Sequence, residues 1–215
     1  MSFLQQLVIY GAGGLGREIL ALVQDMDRSK TTWDILGFVD DDATPHTEIS
    51  GLPVLGNKDY LLQRKTPVSV ALGFASPAAK ASLYNELKTN PEISFPTIIH
   101  PSSCVEPGVQ IGEGVLITRF CFVSVDATLG RCVFINAGSQ VGHDTTVGDF
   151  TSIMPSVNIS GDVSIGERCL IGVQSAILQG LSIGSGTTIG MGSIVLQNVP
   201  ENCTAMGYPA RVVKI

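Results

Sequence analysis

Charged residues are scarce in this chain: Asp, Glu, Lys and Arg make up only 15% of its 215 residues, and aromatics only 6%. With 44% hydrophobic residues, that composition belongs to a folded chain with a substantial core rather than to a disordered one. A basic excess is missing too. The formal net charge of -6 excludes a general nucleic-acid binder, because no surplus of Lys and Arg exists to neutralise phosphates. No apolar run approaches the roughly 18 residues of a membrane span, so no membrane insertion is expected. The start, MSFLQQLVIYGAGG, has no cationic segment leading into a long apolar one, and no signal peptide is expected. The five cysteines are odd in number and form no CxxC pair. Neither a disulfide scaffold nor a metal site is therefore expected, and reduced thiols in the cytoplasm are the plain reading.

Glycine, by contrast, is abundant, at 24 residues. It is distributed differently in two parts of the chain. Residues 1–96 read as alternating strands and helices. Leu7–Tyr10 forms a strand, GAGGLG (11–16) a turn, and Arg17–Met26 a helix. Ile35–Val39 forms a second strand that ends in Asp40, Asp41 and Asp42. A turn-rich stretch with a short strand at Val54–Leu55 leads to a helix near 58–64, a strand at Val68–Leu72 and a helix at Pro77–Thr89. This order implies a small parallel sheet of Rossmann-like α/β type. The loop fits GxGxxG between strand and helix, with Asp40 placed like a ribose-binding acid. Read alone it suggests NAD, but the domain is short for a full dinucleotide fold. Binding the nucleotide portion of some other ligand fits better, through Gly11, Gly13, Gly14, Leu15, Asp40 and Asp41. The alternatives are a purely structural tight turn and an acidic run that merely ends a strand in solvent.

From residue 97 to 215 the period is six. Every sixth residue from Ile99 to Val195 is Ile, Val or Leu, 17 positions without one insertion. Glycine often follows the aliphatic residue, and a small or β-branched residue lies four places after it. Such a repeat specifies a parallel β-helix: each hexapeptide makes one flat face and one corner, and three close a triangular coil. The aliphatic and the small residue share the inward strand face, so Cys121 and Cys169 are expected to be core filler. Glycine beside the aliphatic is expected to give the corner its unusual backbone conformation. Seventeen hexapeptides make between five and six coils.

The sequence YGAGGLGRE (10–18), FVDDD (38–42), IIHPSS (98–103), VGHD (141–144), the unbroken hexapeptides and GYPARVV (207–213) occur in order over nearly the whole chain. In this it resembles the sialic acid O-acetyltransferase and UDP-4-amino-sugar N-acetyltransferase family of hexapeptide-repeat enzymes. The resemblance implies a left-handed β-helix, a homotrimer and acetyl-CoA as co-substrate, with the pantetheine arm in a groove between neighbouring prisms. It further implies His143 as general base, Asp144 as the carboxylate that orients it, and Asn136 as a holder of the acceptor sugar. The Gly161 N–H would face the thioester oxygen. Ser152, Val173, Gly190, Met191 and Ala210 would line the coenzyme groove. Two positions depart from the family pattern: Leu15 and Ser152 stand where relatives often carry histidine.

His143 is one of three histidines and sits two places after Val141, at a corner where side chains point outward. One reading is a solvated corner histidine beside a turn-forming aspartate. The other is chemical: an amine or hydroxyl that attacks a thioester must lose a proton, and imidazole titrates in the neutral range. His46, in a polar loop, and His100, at the junction, read as structural. The sequence thus leads to an acetyl-CoA-dependent N-acetyltransferase acting on the amino group of a nucleotide-linked amino sugar in surface glycan or glycoprotein synthesis. Its rivals are O-acetylation of sialic acid, a catalytically silent trimeric scaffold or metabolite sensor, and, remotely, an NAD-binding oxidoreductase fragment.

Overall fold

The computed structural model describes residues 4–27 and 32–213; the first three residues, part of the stretch read for a leader, lie outside them. The chain divides into two compact units. One comprises residues up to 75 with 79–96, the other residues 76–78 with 97 onward. Among the described residues no helix is long and apolar enough to cross a membrane.

The first unit contains β1 (Gln5–Tyr10), α1 (Gly14–Met26), β2 (Trp33–Val39), β3 (Glu48–Ile49), β4 (Leu52–Gly56), α2 (Lys58–Leu62), β5 (Val68–Leu72), α3 (Pro77–Leu87) and β6 (Ile93–Ser94). Its sheet runs β3-β4-β2-β1-β5-β6, parallel throughout except for the β3–β4 hairpin. Leu7, Val8 and Ile9 are fully buried and all five residues of β5 are buried, as expected of parallel strands covered on both faces. α1 packs through Gly16, Ile19, Leu20 and Val23, one face at helical spacing. It begins three residues before the expected Arg17, because Gly13 and Gly14, poor helix formers, hide its first turn from a propensity reading. α3 starts on Pro77, which suits a first helical position, and stops at Leu87 rather than Thr89. The β3–β4 hairpin occupies part of the stretch read as turns, too short to show a period of two.

The second unit is a parallel β-helix. Seventeen two-residue strands, β7 (Ile98–Ile99) to β23 (Ile194–Val195), stack in three sheets, each pairing with the strand 18 residues further on. Between five and six coils result. The first face carries Ile99, Ile117, Ile135, Ile153, Ile171 and Ile189; the second runs from Val105 to Val195 and the third from Ile111 to Ile183. The aliphatic column fills the prism, with the small residues beside it: Ala127, Ser139, Thr145, Thr151, Ser175 and Thr187 are all fully buried. Their hydroxyls do not go unpaired; Thr145 Oγ1 donates to the Ser160 carbonyl and Thr151 Oγ1 to that of Gly166. Cys121 and Cys169 occupy the same inward position, and burial pushes both thiols up, which keeps them protonated and inert. A hairpin of β24 (Thr204–Gly207) and β25 (Ala210–Val213), outside the hexapeptide pattern, extends the first face.

One expectation about glycine is corrected. From Gly108 to Gly192 the residue with left-handed backbone lies three places after the aliphatic, and these include Phe120, Asp126, Asp144, Phe150, Ser156 and Asp162 as well as glycines. The glycines directly after the aliphatic, such as Gly142 and Gly148, do not have positive φ. They are small for a different reason: a Cβ on Gly142 would fall closer than 3.0 Å to Ser160 and Gly161 backbone in the next coil. Stacking, not backbone twist, demands them.

Candidate active site

The second corner of the prism, after the second face, carries an aspartate in three successive coils, Asp126, Asp144 and Asp162, with φ of 57°, 57° and 55°. Aspartate tolerates the left-handed region better than most side chains, so Asp144 is a turn residue by conformation. It also accepts from the neighbouring ring: His143 Nδ1 lies 2.8 Å from Asp144 Oδ2. The two readings of this pair are compatible, since the same residue turns the chain and holds the imidazole. With Nδ1–H donated to the carboxylate, the lone pair is left on Nε2. Both side chains are about half exposed, at 50% and 61%.

One coil below, the distal edge of the ring rests on Gly161. A Cβ built there would lie closer than 3.0 Å to Nε2, Cε1 and Cδ2 of His143. The Gly161 carbonyl accepts from the Gly180 N–H at 3.2 Å, while the Gly161 N–H makes no hydrogen bond among the described residues. A base nitrogen and an unused backbone donor thus stand one coil apart on one edge.

The other expected residues lie elsewhere on the prism. Asn136, Val173, Gly190 and Met191 occupy the first corner, after the first face; Met191 is 80% exposed and Val173 half-buried. Asn136 Oδ1 accepts from the Ala137 N–H at 2.7 Å, which fixes its amide locally. Ala210 is buried in the tail hairpin opposite Gly207. Ser152 points out from the first face but is fully buried, its hydroxyl without a partner, so in a single chain it lines no open groove. His100 is buried, with Nδ1 2.8 Å from Ser102 Oγ, consistent with a junction role. Among the described residues no group of three His, Cys, Asp or Glu is placed to hold a metal ion.

In the first unit, the loop after β1 and the ends of β2 and β5 converge at the carboxyl edge of the sheet, where strand order reverses and open α/β sheets bind ligands. The Gly11 N–H donates to the Val39 carbonyl and the Gly73 N–H to that of Tyr10, joining the three strand ends. A Cβ at Gly16 would collide with the Gly11 carbonyl, so this glycine lets α1 approach the strand. Gly13 and Gly14 differ. A Cβ at either meets nothing within 4 Å, and neither has positive φ. Gly13 caps α1 with no side-chain acceptor. Leu15 is half-buried beside them.

Asp40 is committed to the local fold. Its Oδ2 accepts from the Ala12 N–H at 2.7 Å and its Oδ1 from the N–H groups of Asp42 and Ala43. Burial works against its charge, but these three donors outweigh it and hold the carboxyl below its usual range. Asp41 accepts from the Tyr10 hydroxyl at 2.6 Å and from the Lys58 N–H at 3.0 Å. Burial, then the bond to Asp41, push the Tyr10 phenol up, and it stays protonated as the donor. Both acids shape the loop before they could meet a ligand.

Comparison with known proteins fits both units. Residues 6–87 match the PglD N-terminal domain, and residues 162–197 the hexapeptide repeat of succinyl-transferase. Perosamine N-acetyltransferase from Caulobacter crescentus, solved in complex with CoA and GDP-perosamine, superposes with a TM-score of 0.87 at 28% identity, over 98% of this chain and 97% of that one. The chain carries a PglD-type N-terminal domain followed by a hexapeptide-repeat β-helix. Two further solved structures are similar over the same extent. The acetyltransferase domain of PglB from Neisseria gonorrhoeae matches with a TM-score of 0.87 at 26% identity, over 97% of this chain and all of that one. WeeI from Acinetobacter baumannii matches with a TM-score of 0.87 at 27% identity, over 97% and 100%. A curated relative, acyl-[acyl-carrier-protein]–UDP-N-acetylglucosamine O-acyltransferase from Mesorhizobium japonicum, is 65% identical over 34 residues, 16% of this chain but only 12% of that enzyme's length. That local match bears on the repeat alone.

Two features of this chain escaped the sequence reading. Gly73, whose N–H closes the end of β5 onto Tyr10 beside the GAGGLG loop, could have been noticed as a glycine directly after the strand Val68–Leu72. The seating of His143 on Gly161 depends on an 18-residue stacking period, visible only once three hexapeptides are known to close one coil.

Proposed function

We propose that this protein is a cytoplasmic, homotrimeric acetyl-CoA-dependent N-acetyltransferase that acts on the amino group of a nucleotide-linked amino sugar. The observation that carries the reading is the His143–Asp144 pair, 2.8 Å apart, with its free Nε2 beside the unused N–H of Gly161. In the proposed reaction the acceptor's neutral amine attacks the thioester carbonyl carbon, forming the new C–N bond. Nε2 takes the proton that the nitrogen must lose, and Asp144 keeps the ring in the right tautomer and supports its charge. The Gly161 N–H donates to the oxyanion. Collapse breaks the C–S bond, and the imidazolium returns its proton to the departing thiolate. An enzyme-bound acyl group is unnecessary, since the thioester is already activated.

The placement of these residues supports assembly. His143, Asp144 and Gly161 occupy the second corner, and Asn136, Val173, Gly190 and Met191 the first. Two edges of one prism cannot close on a single substrate, whereas the second corner of one copy can meet the first corner of the next. The surface supports this arrangement. Exposed Phe122 lies on the second face, Phe120 and Met191 on its first-corner flank, and Val125, Leu178 and Leu196 on its second-corner flank. The outward residues of the third face, Gln110, Thr128, Thr146, Ser164 and Ser182, are all polar. Apolar flanks favour packing against another copy; the polar face favours water.

For the acceptor's nucleotide we assign Gly11, Gly13, Gly14 and Leu15, with Asp40 and Asp41 holding the loop. Gly13 and Gly14, which neither φ nor internal packing requires, are accounted for by a ligand approaching the backbone, and the first turn of α1, without a side-chain cap, presents N–H groups to a phosphate. The test is release of CoA thiol across UDP-, dTDP- and GDP-linked 4-amino sugars and free sialic acid. Turnover with an amine acceptor is expected. Turnover confined to sialic acid would make the enzyme an O-acetyltransferase, and none with any acceptor would favour the scaffold.

A further inference from the structure

Along the β-helix, seventeen residues stand two places after an aliphatic, from Pro101 to Gln197, and Gly161 alone among them is glycine. Its φ is not positive, so the backbone does not demand glycine. The three atoms nearest to a Cβ built there all belong to the imidazole of His143. Val125, one coil above the histidine, and Gln179, one coil below the glycine, show that this corner accommodates side chains elsewhere.

We propose that Gly161 is a positioning residue for His143: its missing Cβ is the seat in which the ring lies while Nδ1 bonds Asp144. This rests on the catalytic reading of His143 and adds a steric role to the one assigned to the Gly161 N–H, which alanine would retain. Any side chain at 161 forces the ring to turn away from Asp144, moving Nε2 from the acceptor. Displacements on the ångström scale cost roughly tenfold to a hundredfold in rate.

The experiment is a cycle of wild type, Gly161→Ala, His143→Ala and the double variant. Gly161→Ala should lower kcat roughly tenfold to a hundredfold and leave the KM for acetyl-CoA within about twofold. It should also weaken or displace the acid-side limb of the pH–rate profile, where an essential base is lost by protonation. In the His143→Ala background the same change should cost nothing further, because the ring it disturbs is gone. Equal losses in both backgrounds, or no loss in either, would overturn the proposal. A readout without catalysis separates it from the functional reading: the Cε1–H NMR resonance of His143, identified by its absence from His143→Ala. That resonance and its titration should change in Gly161→Ala; an unchanged resonance overturns the seat even if the enzyme is active. Should Gly161→Ala fail to fold, the double variant decides. A folded double variant with the Tm of His143→Ala supports the seat, and an unfolded one refutes it.

Discussion

At the scale of single residues, the chemistry is concentrated where the repeat's own rules are bent least. Asp144 takes the left-handed position that aspartates occupy in the coils above and below, so the carboxylate that orients His143 costs the fold nothing extra. This separates two substitutions. Asp144→Asn keeps a side chain at ease with positive φ and an oxygen that can still accept from Nδ1. Its loss of turnover should be smaller than that of a His143 variant, with Tm nearly unchanged. Asp144→Ala loses the acceptor and places a methyl group in a strained region, costing about 1–2 kcal/mol. It should lower both kcat and Tm, as steady-state kinetics and thermal melts would measure. Equal behaviour of the two variants would contradict the double role.

Among the elements, glycine has two uses. Gly142 faces backbone in the next coil, so Gly142→Ala should destabilise the β-helix, by about 1–3 kcal/mol as for overpacking elsewhere. Gly13→Ala meets open space and should leave Tm unchanged or slightly raised. Its expected effect is a higher KM for the sugar nucleotide with acetyl-CoA affinity preserved; unchanged acceptor kinetics would return Gly13 to a structural role. Asp40 ties the end of β2 to the loop after β1 through the Ala12 N–H. Its carboxyl is held below the usual range, so its stabilisation is fully present above the unfolded carboxylate value of about 3.9 and is lost as pH falls through the folded value. Asp40→Asn should therefore melt below wild type at neutral pH, and the gap should narrow in acid. Chemical denaturation at several pH values checks this.

For the molecule as a whole, the β-helix was legible in the sequence because one inward residue type recurs at fixed spacing, and nothing but stacked coils satisfies that constraint. The elements that were missed are those without periodicity: the two-residue β3 and β6, the tail hairpin, and the start of α1 behind Gly13 and Gly14. The reason for the repeat's glycines was misread because the sequence does not reveal which coil a backbone faces. The site was legible only in part. His143 and Asp144 are neighbours in the chain, but their seat at Gly161 and the separation of the expected coenzyme residues onto another corner emerge only in three dimensions. Under the proposed function, that separation calls for a second copy to complete the site. The active species should have three times the 22.6 kDa chain mass by light scattering, and a fully active monomer would contradict the shared-groove account.

The claim on which everything else depends is that His143 removes the acceptor's proton. The most direct measurement is the pH dependence of CoA release by wild type and His143→Ala, using one nucleotide-linked 4-amino sugar so that the acceptor's own titration is common to both. The alanine variant should keep its fold and its affinity for acetyl-CoA, lose roughly 10² to 10⁴ in turnover, and lose the limb that an imidazole base contributes near neutrality. Near-wild-type turnover by the folded variant at neutral pH, with the same pH profile, would contradict the account and leave His143 an ornament on a corner.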